Sequence, residues 1–178
     1  GADLEKISVF QSLSKRSNLP GIRSGFSING NITTKILKKV RAYGGAPLAT
    51  PFQIASERIW LDESHVELNR LEYNKKFKLA ESIFENYHNF KIPDAGFFLC
   101  LSVDNPVMFT KELWQSTGVK VLPGPYLCNV DNLSVSESRK IASFVRIALV
   151  EKEDKLKDGL YKIKDFLTKN NKFVLRDY

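Results

Sequence analysis

The sequence predicts an α/β protein: short strands flanking a polar loop near the front, and a sheet covered by helices behind. Three observations carry this. Two short apolar runs bracket the polar stretch 11–24, each bounded by turn residues. Two long segments place apolar residues on one face at helical spacing: Tyr73, Phe77, Ala80, Phe84 and Tyr87, then Leu156, Leu160, Ile163 and Leu167. A continuous apolar run, 97–103, and a second, 144–150, apolar apart from Arg146, have strand length.

Ile7 to Phe10 reads as a short buried strand. Leu19-Pro20-Gly21 marks a turn, and Gly25 to Ile28 reads as a second strand ended by Asn29-Gly30. Thr33 or Thr34 can cap a helix running to about Ala42, broken by Gly44-Gly45-Ala46-Pro47. Helix dominates from Pro51, with Phe52, Ala55 and Ile59 sharing a face, until Pro93 and Gly96. A helix is expected over about Val107 to Ser116. A strand is expected over Val119 to Leu122, stopped by Pro123-Gly124-Pro125. A final helix carries the Leu156 stripe, with its lysines largely off that face.

The 178 residues are 43% hydrophobic, enough for a real core, and carry a net charge of +7. The lysines are spread along predicted helices, with no block of five basics, no zinc-finger spacing and no RNA-binding aromatic signature. The charge therefore reads as a solvated surface, and no nucleic-acid partner is expected. No apolar run reaches the roughly 20 residues of a membrane span, and none at the N-terminus resembles a signal peptide. Cys100 and Cys128 fit no metal or redox spacing. No metal is expected, and the expected location is the cytoplasm, with both thiols reduced.

The segment that carries chemistry is Ser12-Leu13-Ser14-Lys15-Arg16-Ser17-Asn18-Leu19-Pro20-Gly21-Ile22-Arg23-Ser24-Gly25. A polar loop at a strand end is where open α/β sheets bind ligands. Serine hydroxyls and a planar guanidinium suit a phosphate. A lysine whose pKa is depressed by burial or by nearby cations adds to an aldehyde, and Arg16 and Arg23 are cations of that kind. The same residues would also make an ordinary basic surface loop.

This stretch resembles the lysine signature of the class I and II aminotransferases, Ser-x-Ser-Lys followed by Gly-x-Arg-x-Gly. More narrowly, it is similar to the N-succinyldiaminopimelate aminotransferases. Further segments follow in the family's order: Arg41-Ala42-Tyr43-Gly44-Gly45, Pro51-Phe52-Gln53, Trp60-Leu61-Asp62-Glu63-Ser64-His65-Val66, Asn69-Arg70-Leu71-Glu72-Tyr73, Ala95-Gly96-Phe97, Val121-Leu122-Pro123-Gly124 and Val145-Arg146-Ile147.

The resemblance implies the C-terminal portion of a fold-type-I aminotransferase. Residues 1–64 would end the large cofactor domain, and 65–178 would form the small domain. It implies pyridoxal phosphate as cofactor, held by Lys15 as a Schiff base, with Ser12, Arg23 and Ser14 around its phosphate. Arg146 would grip the substrate α-carboxylate. A charge in an apolar strand also wants an anionic partner on its own account, which a structural salt bridge would equally supply. Arg41 would meet a second carboxylate, although an arginine at a helix C-terminus is also favoured by the helix dipole. His65 and His88 read as polar positions, and Tyr43 as packing. The implied activity is amino-group transfer between glutamate and an N-succinylated amino-keto acid in lysine and diaminopimelate biosynthesis, by a homodimer. The alternatives are another class I aminotransferase, or a non-catalytic remnant. The family's pyridine-nitrogen aspartate and ring-stacking aromatic lie upstream of residue 1, so this polypeptide alone is expected to be inactive.

Overall fold

The computed structural model describes residues 4–87, 90–129 and 134–174. The chain divides into two compact units, 1–71 and 72–178.

In the first unit, β1 (Ser8–Ser12) pairs antiparallel with β2 (Gly25–Asn29), from Ser8↔Asn29 to Ser12↔Gly25. The close approach explains Gly25, where a Cβ would lie 2.6 Å from the Gln11 carbonyl oxygen. Between the strands lies α1 (Leu13–Arg16). The unit continues through α2 (Asn31–Tyr43), α3 (Thr50–Leu61) and the start of α4 (Ser64–Phe84), so the division between units falls within α4. Both expected strands form, but neither is buried: Phe10 is 70% and Ile28 62% exposed. An apolar run predicts a strand, whereas its burial depends on what lies against it. The α2 helix starts earlier than its threonines suggested. Gly30 is the N-cap, and Thr34 turns its hydroxyl back to the Asn29 carbonyl at 3.3 Å.

In the second unit, β3 (Phe98–Ser102), β4 (Leu122–Pro123) and β5 (Phe144–Ala148) form an antiparallel sheet in the order β3-β5-β4. Its register pairs Leu99 with Ile147 and Leu101 with Val145. These four point to one face and are buried with Phe77, Ala80, Ile83 and Phe84 of α4. Phe109 and Leu113 of α5 (Pro106–Thr117) join them, as do Leu156, Leu160, Ile163, Phe166 and Leu167 of α7 (Glu153–Lys169). Both stripes read from the sequence therefore face the core.

Gly118 ends α5 in the left-handed region at φ 74°, where a residue without Cβ is unstrained. The β4 strand is shorter than expected and includes Pro123, which has no N–H for a ladder and is tolerated because β4 is an edge strand. Helix α6 (Val135–Ala142) had no counterpart in the sequence reading. Among the described residues, no helix is long and apolar enough to cross a membrane.

Candidate active site

The β1–β2 pairing closes the lysine loop. Ser12↔Gly25 is its last rung, and the Leu13 amide donates to the Ser24 carbonyl at 3.1 Å. Leu13, fully buried, anchors the loop from inside. Ser12 is the N-cap of α1: its backbone is extended, and its Oγ accepts the Ser14 amide at 3.1 Å. The Ser14 hydroxyl lies 3.0 Å from the same Oγ. Lys15 follows on this single turn and is exposed. Ser17, buried, closes the turn by donating its amide to the Leu13 carbonyl at 3.1 Å. Arg23 sits two residues before Gly25 at φ 60°, exposed, and donates to the Pro20 carbonyl at 2.9 Å. The fold thus brings Ser12, Ser14, Lys15 and Arg23 to one end of the hairpin.

Arg16 takes a different course from the one its charge suggested. Its guanidinium donates to the Ile59 carbonyl at 3.2 Å, pairs with Glu63 and stacks over the Trp60 ring at 5.0 Å. Its charge is offset by Glu63 rather than offered to Lys15.

Sequence reasoning missed how the loop is tied to α4. His65 Nε2 lies 2.8 Å from Ser17 Oγ, and its Nδ1 lies 3.0 Å from Asp62 Oδ2. The Asn18 amide group donates to Asn69 Oδ1 at 3.1 Å. Asp62 also accepts the Ser64 hydroxyl, at 2.5 Å, and the Ser64 amide. The Ser64 hydroxyl foremost, then the His65 ring, lowers its pKa to about 2. No spacing signal marked it: Asp62 lies in the link ahead of α4, so only His65 and Asn69, one turn apart, share a helical face. His88 lies outside the described residues.

Arg41 lies in the last turn of α2 and is exposed, with its guanidinium near the Gly45 turn; a Cβ at Gly45 would lie 3.4 Å from Nη1. The hydrogen bonds from Arg16, Ser17 and Asn18 run to α3, α4 and the link between them, not to Arg41.

Arg146 belongs to the second unit. A buried charge within an apolar strand is not what forms. Strand alternation turns Val145 and Ile147 into the core and Arg146 onto the opposite face. There it is half-buried, paired in register with Cys100 on one side and Leu122 on the other. Its guanidinium stacks over the Phe98 ring, 4.1 Å from the centroid. Burial therefore does not demand an anionic partner. Partial desolvation pushes the Cys100 thiol up, and the Arg146 guanidinium pulls it the other way.

The lysine loop thus lies in unit 1 and the three-stranded sheet that carries Arg146 in unit 2. The family model for aminotransferase class I and II matches residues 2–162, and the chain belongs to that family, which is pyridoxal-phosphate dependent. It is 29% identical over 175 residues to LL-diaminopimelate aminotransferase of Natranaerobius thermophilus, covering 89% of this chain and 40% of that protein. Among solved structures it is similar to aminotransferase AspB of Helicobacter pylori, at 37% identity and TM-score 0.80, covering 92% of this chain and 41% of that one. It is likewise similar to an aminotransferase of Neisseria meningitidis, at 34% identity and TM-score 0.79, covering 93% and 41%. The chain thus spans about 40% of the length of these relatives.

The donors at the hairpin end fit the family's cofactor. Two adjacent hydroxyls and a guanidinium suit a phosphate dianion, and an exposed amine on the same turn suits an aldehyde.

Proposed function

We propose that these residues are the C-terminal part of a transaminase, with residues 1–64 ending the cofactor domain and 65–178 forming the small domain. When bound, pyridoxal phosphate supplies an electron sink for the substrate's α-carbon. The chain's own residues place it and move the proton. Ser12, Ser14 and Arg23 would hold the phosphate. Lys15 would face the aldehyde through Nζ, and its amine would hold and move the proton of the substrate α-carbon. Arg146 receives the substrate α-carboxylate, and its fixed plane suits a bidentate grip. Arg41 meets a distal carboxylate. The observation that carries this reading is Lys15 exposed on a turn capped by Ser12 and closed by Ser17.

The substrate pair we favour is glutamate and an N-succinylated amino-keto acid of diaminopimelate and lysine synthesis, handled by a cytoplasmic homodimer. The run from Ser12 to Gly25 supports the succinyl branch, and the LL-diaminopimelate relative supports the wider substrate class. The runner-up is a class I aminotransferase for another amino acid. Assaying the parent polypeptide with glutamate and each acceptor separates the two. Faster transfer to the succinylated acceptor supports the first, and preference for oxaloacetate or an aromatic keto acid overturns it.

A further inference from the structure

The mechanism leaves unused the linked side chains Arg16, Ser17, His65 and Asp62. The Arg16 guanidinium donates to Ser17 Oγ at 3.3 Å. Ser17 Oγ also meets His65 Nε2, 2.8 Å away. On the other side of the ring the Asp62 carboxylate can only accept, so Nδ1 turns an N–H toward Asp62 Oδ2 at 3.0 Å. Ser17 is 7% exposed, so solvent offers little substitute for a lost partner.

Ser17 also closes the turn that carries Lys15, and one helical turn beyond His65, Asn69 holds Asn18 at φ 53°. We infer that His65, seated between Asp62 and Ser17, is a positioning residue that fixes the turn presenting Lys15. For its catalytic meaning this rests on the proposed role of Lys15. Arg16, whose charge Glu63 offsets, orients the hydroxyl from the other side.

Two substitutions divide the imidazole's work. His65→Asn places an amide near Nδ1, keeping the Asp62 contact and losing Ser17. His65→Gln extends an amide toward Nε2, keeping Ser17. Ser17→Ala removes the link from the other end. Amide hydrogen exchange on the 178-residue chain reads the turn without cofactor at the Ser17 and Leu19 amides, both bonded to the Leu13 carbonyl. Exchange there should rise about tenfold in His65→Asn and Ser17→Ala, and stay within about threefold of wild type in His65→Gln. The amides of β3 and α5 should not change in any variant.

In parallel, the chain is reduced with borohydride in the presence of pyridoxal phosphate and peptide-mapped. The share of label on Lys15 should fall several-fold in His65→Asn and recover in His65→Gln. Wild-type exchange in His65→Asn and Ser17→Ala would overturn the inference, as would equal damage in His65→Gln and His65→Asn. If wild-type Lys15 takes no label, the cofactor reading fails, while the exchange data still decide the role of His65.

Discussion

Arg146 and Phe98 stack across the β3–β5 pairing, with the guanidinium carbon 4.1 Å from the ring centroid. They sit diagonally, because Phe98 faces Ala148 and Arg146 faces Cys100. Both side chains lie on the face of the sheet turned away from the core.

Arg146→Met should therefore be mild for folding. Loss of a half-exposed cation–π contact costs about 0.5–1 kcal/mol. Breaking a buried ion pair would cost about 3–5 kcal/mol. Urea unfolding of the two proteins distinguishes these, and a loss in the larger range would mean that Arg146 is structural.

The Cys100 thiol gives a second reading of the same face. Desolvation holds it up while Arg146 favours the thiolate. The pH midpoint of its iodoacetamide reaction should lie above that of a free thiol and rise further in Arg146→Met. A midpoint unmoved by the substitution would separate the two residues.

Asp62 should leave a trace in the acid limb of stability. Its folded pKa, about 2, lies below the ordinary 3.8. A depressed carboxylate contributes stability that is complete above the unfolded value and lost as pH falls through the folded one. The wild-type advantage over Asp62→Asn should thus be level from about pH 5 to 7 and shrink from about pH 4 down to 2. An advantage that grows on acidification would contradict the hydrogen bonds from Ser64 and His65.

The two units should differ in cohesion. Leu99, Leu101, Phe109, Leu113 and Val145 are fully buried in unit 2, whereas Phe10, Ile28, Ile32, Ile36 and Tyr43 of unit 1 are exposed. Leu113→Ala should cost about 2–5 kcal/mol. Limited proteolysis should cut first within residues 4–71 and leave a resistant piece from about 72 onward. A first cut within β3 or α7 would be the contrary result.

Much of unit 2 was legible in the sequence because its helices bury one stripe and expose the rest. The α4 and α7 residues recur at 3.6-residue spacing for that reason. Helix α6 was not legible, being short and largely polar. That Arg146 is only half-buried was not legible, because Phe144 and Ala148 on the same face are apolar too and hide the two-residue alternation. At the site, Ser12, Ser14, Lys15 and Arg23 are close in sequence and could be read together. His65 could not, since its partner Ser17 lies 48 residues away and only the fold joins them.

We propose Lys15 as the residue that bonds the cofactor aldehyde. Borohydride reduction of the parent polypeptide in the presence of pyridoxal phosphate, followed by peptide mapping, reads the bonded lysine. Label should appear on the peptide carrying Lys15 and be lost in Lys15→Ala. Label on another lysine, with Lys15 clean, would contradict the proposal.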